Sequence, residues 1–173
     1  MKAKKFLVTL LSLALVITAL CGCGGADTET DPFAKLTFYE SPTGISLYMD
    51  KGFTEKTMET ATCYFEKSDI VTNCLEETFE TLETIGYGSE TTIEEYAQLL
   101  IDVYGLEGEV TTDEYGNTYT VYIQDFDGVS YSYYAFFDKG TTSFWTTTFL
   151  CATDEADSHE EDFKLWASSI KVP

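Results

Sequence analysis

NTYTVYIQDFDGVSYSYYAFFDKGTTSFWTTTFLC, residues 117–151, is the stretch on which the fold turns. Turn signals at Asp127-Gly128 and Lys139-Gly140 divide it into runs of roughly 117–126, 129–137 and 141–151, each rich in aromatic and β-branched residues. Two-residue turns fix the register of a hairpin, so the sidedness of the three strands follows. One face carries Tyr119, Val121, Ile123, Tyr134, Phe136, Trp145, Phe149 and Cys151. The other carries Tyr122, Phe126, Tyr131, Tyr133, Ala135, Phe137, Phe144 and Leu150. An antiparallel sheet with one wet side alternates apolar and polar residues; here both sides are apolar, so both must be covered.

The covers are found on either side of the meander. Ile93, Tyr96, Ala97, Leu100 and Tyr104 fall on one helical face, Thr92 and Glu95 are spaced for a capping box, and Gly105 suits a left-handed C-terminal residue. Near the C-terminus, Phe163, Trp166, Ala167 and Ile170 form a second stripe, with Ser158 and Glu161 spaced for another capping box. Upstream lie short β-type runs at Leu36–Tyr39, Ile45–Met49, Ala61–Phe65 and Ile70–Leu75, and Phe79–Tyr87 reads as a short helix or turn. The expectation is an α+β domain over residues 36–173, an antiparallel β-sheet flanked by helices on both faces.

That layout resembles a known one. The strand pair near Ile45-Ser46-Leu47, the stretch Ile93-Glu94-Glu95-Tyr96 opening a central helix, the meander through Val129–Phe137 and the closing Ser168-Ser169-Ile170-Lys171-Val172 look like the PsbP-like α/β/α sandwich. The resemblance is one of element order over about residues 36–172. It implies a fold known from an extrinsic photosystem subunit and from small secreted or lipid-anchored bacterial proteins. It assigns no functional residue, since a fold does not carry a function.

The N-terminus supplies an address. Lys2, Lys4 and Lys5 precede an apolar run from Phe6 to Leu20, the pattern of a secretory signal peptide, and the run is shorter than the roughly 20 residues a bilayer-spanning helix needs. Leu20-Cys21-Gly22-Cys23 resembles the bacterial lipobox, with Gly22 small before the cysteine that would receive lipid. The reading is a signal peptide over 1–22, a lipidated Cys23 whose partner is the lipid bilayer, and a flexible acidic tether over 23–35. The expected location is the extracytoplasmic side of the cell membrane. An ordinary secreted protein with cysteines near its cleavage site is the alternative.

Composition narrows the partners. The chain has 30 acidic residues, ten lysines and no arginine, a net charge of −20 that becomes −23 once the three N-terminal lysines are removed. Such a field repels phosphate backbones, which excludes nucleic acid. It serves solubility, or else attracts a cationic partner or calcium, although no EF-hand spacing is present. The clusters Asp113-Glu114-Tyr115-Gly116-Asn117 and Asp125-Phe126-Asp127-Gly128 read as hairpin turns. Cys63, Cys74 and Cys151 remain beyond the anchor. A hairpin about Lys67-Ser68 sets Cys63 against Thr72 and leaves Cys74 on a diagonal too long for a disulfide unless the register shifts, so buried thiols are expected. No metal-ligand spacing and no cofactor fingerprint occurs.

Catalytic chemistry finds little support. His159, the lone histidine, sits in Asp157-Ser158-His159-Glu160-Glu161 and reads as a solvated helix-end residue, because no nucleophile elbow accompanies it. The feature that stands out is a tyrosine-rich face, where Tyr122 opposes Tyr133 and Tyr131 lies one step along. Tyrosine offers a large body with a polar tip and is enriched at recognition surfaces. It either docks an envelope protein, peptide or glycan, or simply receives the central helix. The leading function is a non-enzymatic, membrane-anchored binding or accessory module. The alternatives are a small hydrolase using paired carboxylates and a structural or folding helper for an envelope protein.

Overall fold

The structure, a computed structural model, describes residues 31–173. The signal peptide reading and Cys23 lie outside the described residues. Among these the order is β1 (Thr37–Glu40), β2 (Ser46–Met49), β3 (Thr54–Glu55), β4 (Cys63–Lys67), β5 (Ile70–Thr78), α1 (Phe79–Glu83), α2 (Ile93–Tyr104), β6 (Thr111–Thr112), β7 (Thr118–Phe126), β8 (Val129–Lys139), β9 (Ser143–Ala152), a 3-10 turn (Thr153–Glu155) and α3 (Ala156–Ala167). Seven strands form one antiparallel sheet in the order β3-β4-β5-β9-β8-β7-β6, and β1 and β2 pair separately. Phe33, at the end of the expected tether, stacks on Tyr48 at 5.4 Å.

Both faces of the sheet are covered, as the doubly apolar meander requires. On one side α3 and the β1–β2 hairpin bury Trp145, Phe149, Phe163, Trp166 and Leu47 in a single cluster. On the other, α1 and α2 bury Phe79, Leu82, Tyr96, Ala97, Phe137 and Phe144. The fold is the α+β sandwich with helices on both faces of an antiparallel sheet.

The two faces of the meander are those read from the sequence, but one of its turns is displaced, and so is the turn of the β4–β5 hairpin. Asp127 and Gly128 take positive φ (50° and 82°) and Phe126 pairs with Val129, the left-handed two-residue hairpin that Asp-Gly favours. The next turn centres on Thr141-Thr142 instead of Lys139-Gly140, with Lys139 paired to Phe144. The chain end explains this shift: Thr141 N–H donates to the Pro173 carbonyl, and Lys139 Nζ donates to the Ser89 and Thr91 carbonyls, which holds Lys139 in β8. The β4–β5 hairpin turns about Ser68-Asp69, so Cys63 lies directly across from Cys74 and Phe65 across from Thr72. Each displacement changes a partner by an even number of residues, and the side-chain faces therefore survive.

The helix ends divide in the same way. Thr92 and Glu95 form the capping box of α2, and Gly105 closes it in the left-handed region. In α3 no box forms: the helix begins at Ala156, and Ser158 Oγ donates to the Glu155 carbonyl instead of accepting from Glu161. The strand β9 runs into the 3-10 turn without a break, and burial of Ala156 draws the helix start forward.

Candidate functional site

Strand register builds the site row by row. Asn73, Thr148, Ala135 and Thr120 lie side by side across β5, β9, β8 and β7 on the α2 face. The row on one side is Val71, Leu150, Tyr133 and Tyr122; on the other it is Leu75, Thr146, Phe137 and Thr118. Ala135 is the small residue of the middle row, so the floor dips between the tyrosines and Phe137. Helix α2 does not fill the dip. Its 12 residues span about 18 Å, whereas the 11 residues of β8 span about 37 Å. Leu100, Tyr104 and Leu106 overhang the floor, and a cleft of about 380 Å³ is left between helix and sheet. That volume falls within the range of small-molecule sites.

Tyr122 and Tyr133 stack at 5.0 Å with their planes 10° apart, and both line the cleft. Burial, with the neighbouring Tyr133 second, pushes the Tyr122 phenol up to about 12, and burial also raises that of Tyr133. Both hydroxyls therefore stay protonated at neutral pH. At the β5 end, buried Tyr96 donates to Glu77 at 2.6 Å and lies 3.1 Å from Thr146 Oγ1. Burial first, and then that carboxylate, hold the Tyr96 phenol far above its ordinary value. Asn73 Oδ1 is buried with no hydrogen-bond partner among the described residues. An unpaired buried acceptor costs about 1–3 kcal/mol. Among the described residues the cleft lining includes the Glu77 carboxylate and holds no lysine, arginine or histidine.

The sequence singled out Tyr122, Tyr131 and Tyr133. The opposed pair, Tyr122 and Tyr133, meets as read, while Tyr131 pairs with Gln124 one step beyond the cleft and does not line it. Asn73, Leu100 and Glu77 were missed. Asn73 left a signal: it is a polar residue on an inward position between Val71 and Leu75.

His159 is only partly solvated. Its side chain is only 20% exposed, its ring stacks on Phe163, and Nε2 lies 3.7 Å from an Asp69 carboxylate oxygen. Asp69, Glu155 and His159 bring ligand-type atoms within 4.8 Å of one another, from a hairpin turn, the 3-10 turn and α3. Both carboxylates are exposed, and the histidine forms a charge pair with Asp69 when protonated.

The three cysteines are buried free thiols. A hydrogen bond with Cys63, followed by burial, drives the Cys74 thiol upward, and burial puts Cys151 at about 11, so neither is a thiolate at neutral pH. Burial lifts Asp138 to about 6, with Lys171 partly opposing. Asp138 lines a small recess with Ile93, Asn117 and Ala167 that contains no second carboxylate. Asp113 Oδ1 accepts from the Tyr115 and Asn117 amides, so the first acidic cluster is turn chemistry, as read. No helix among the described residues is long and apolar enough to cross a membrane.

No family model matches the chain, and no curated protein sequence does. Solved structures do. The solution structure of cyanobacterial PsbP (CyanoP) from Synechocystis sp. PCC 6803 aligns with a TM-score of 0.53 at 15% identity, over 81% of this chain and 94% of that one. A crystal structure from Bacteroides thetaiotaomicron VPI-5482 aligns with a TM-score of 0.51 at 10% identity, over 80% of this chain and 49% of that one, so the chain spans about half of that protein. LpqN of Mycobacterium tuberculosis, described as involved in cell envelope biogenesis, aligns at 0.40 and 8% identity. Strand order, two-sided helical cover and the alignment along nearly the whole of CyanoP agree: this chain has the PsbP-like α/β/α sandwich fold.

Proposed function

We propose that this protein is an extracytoplasmic accessory module, tethered to the membrane by lipid on Cys23, that binds a ligand in the cleft between α2 and the meander. The observation that carries the reading is the cleft itself: about 380 Å³, walled by the Tyr122–Tyr133 stack and floored by Ala135. The anchor reading rests on Leu20-Cys21-Gly22-Cys23 and the apolar run before it. The binding role is non-enzymatic. A carboxylate hydrolase needs two carboxyls across one cleft with one strongly raised. The raised Asp138 has no second carboxylate in its recess, and Glu77 is held by the Tyr96 hydroxyl.

Two measurements on the native membrane test the two halves. Metabolic labelling with palmitate should mark the wild type, and Cys23→Ala should lose both the label and the membrane fraction. A photo-crosslinking residue at Leu100, over the cleft, should trap an adduct that the same residue at Val103, 63% exposed, does not. Equal trapping at both positions would remove the cleft as the binding site, and an unlabelled wild type would remove the anchor.

A further inference from the structure

Two buried nucleophiles take no part in the cleft. The β4–β5 register sets Cys63 directly across from Cys74, and opposed residues of an antiparallel pair hold their Cα atoms about 4.5–5.5 Å apart. That separation lies inside the range of about 4.4–6.8 Å that a disulfide bridges. Both side chains sit in the α3-face cluster, 4% and 0% exposed. A side-chain hydrogen bond joins the two thiols, and Thr147 Oγ1 donates to Cys74 Sγ at 3.9 Å. Cys151 is out of reach: Thr147 is the residue of β9 that pairs with Cys74, and Cys151 lies four residues farther along that strand, about 13 Å away. The pair is approached from one side. Cys63 lines a second cleft of about 380 Å³, between residues 41–43 and 56–58, whereas Cys74 has no exposed surface.

We infer that Cys63 and Cys74 form a covalent modification site, a dithiol that a small disulfide oxidant closes to a cross-strand disulfide and that a thiol reductant reopens. Cys63 gives up its proton, and its thiolate attacks one sulfur of the oxidant, forming a mixed disulfide and expelling one thiolate. Cys74 then gives up its proton and attacks Cys63 Sγ, which forms the protein disulfide and expels the second thiolate. Contact between the sulfurs makes this second step intramolecular. The two protons pass to the two expelled thiolates, so the dithiol is oxidised by two electrons and the small disulfide is reduced to two thiols. Closed, the bridge fastens β4 to β5, where β4 meets only the two residues of β3 on its other side. The chemistry of the pair does not depend on the membrane reading proposed above; the supply of oxidant does, because disulfides form and persist outside the cytoplasm.

The test uses the full-length protein, reduced, incubated with 2-hydroxyethyl disulfide, then unfolded, alkylated and mapped by peptide mass spectrometry. The Cys63 and Cys74 peptides should be recovered linked, with Cys151 still open to alkylation, and dithiothreitol should restore both thiols. Amide exchange at Phe65 and Thr72, which pair across the same hairpin, should slow by about tenfold in the oxidised form. Cys74→Ala, checked for folding by thermal melting, should stop at the mixed disulfide on Cys63. Full alkylation of Cys63 and Cys74 after treatment would overturn the inference, as would a mixed disulfide that the wild type does not resolve, or loss of Cys151 in step with the pair. Unchanged exchange in the linked protein would overturn the fastening of β4. Mapping of protein alkylated in intact cells keeps the site apart from the location: a pair that closes in the purified protein but is reduced in cells upholds the site and counts against the extracytoplasmic reading.

Discussion

The two faces of the sheet are made from the same three strands and are packed to different degrees. On the α3 face, Phe149, Phe163 and Trp166 contact one another at 5.3–5.7 Å, and the β1–β2 hairpin closes what α3 leaves open. On the α2 face the second cover is only the five-residue α1, which packs Phe79 on Phe144 at 5.2 Å. Helix α2 packs Tyr96 flat on Phe144 at 4.4 Å near one end of the strands, and beyond its reach the tyrosine rows are only half-buried. A core that is filled gives stability and no site; a face covered by an element too short for it gives a cleft. The difference is one of length, since both faces are equally apolar in sequence.

Three substitutions separate the faces, and the largest effect belongs to the filled side. Trp166→Ala removes a side chain that is 1% exposed, and should cost about 3–5 kcal/mol in urea unfolding. A loss below about 1 kcal/mol would mean that the α3 face is not the dominant core.

Next comes Asp138, a carboxylate on that same face. Its pKa is raised in the folded state, from 3.8 to about 6, because burial disfavours the charged form. The contribution of the group is therefore fully present below pH 4 and is lost as pH rises from about 4 to about 6. Asp138→Asn should leave stability nearly unchanged at pH 3.5 and raise it by about 1–3 kcal/mol above pH 7. Chemical denaturation at both pH values checks the sign, and an asparagine variant that is less stable at pH 8 would show that Asp138 is held by its attraction to Lys171.

The smallest effect is on the open face. Tyr133→Leu keeps much of the buried apolar area and loses the stacked ring, so it should cost less than about 1.5 kcal/mol while weakening ligand retention in the cleft. If it destabilises the domain as much as Trp166→Ala, the open face is core and the contrast between the two sides disappears.

Much of this was legible in the residues. The alternation of the meander gave both faces correctly because side-chain sidedness depends only on parity, and both displaced turns moved partners by even steps. The capping box of α2 was legible because Thr92, Glu95 and Gly105 act within one turn of each helix end. The same signature failed at α3, where Ser158 and Glu161 have the right spacing but the chain enters the helix earlier from a 3-10 turn. His159 was misread for a similar reason: its ring is held by Phe163 and faces Asp69, and the second of these contacts is not local in sequence.

By itself, then, the sequence determined the quantities that are local or periodic. These are the doubly apolar strands, hence the sandwich; the α2 helix and its caps; the acidic surface; and the opposition of Tyr122 and Tyr133. Only the tertiary structure decided where the turns sit, because Pro173 and the loop before α2 hold the end of β8. It also decided that Cys63 faces Cys74, and that α2 stops short of the tyrosine row to leave Asn73 without a partner. These outcomes depend on lengths and contacts between segments far apart in the chain, and no window of residues contains both partners.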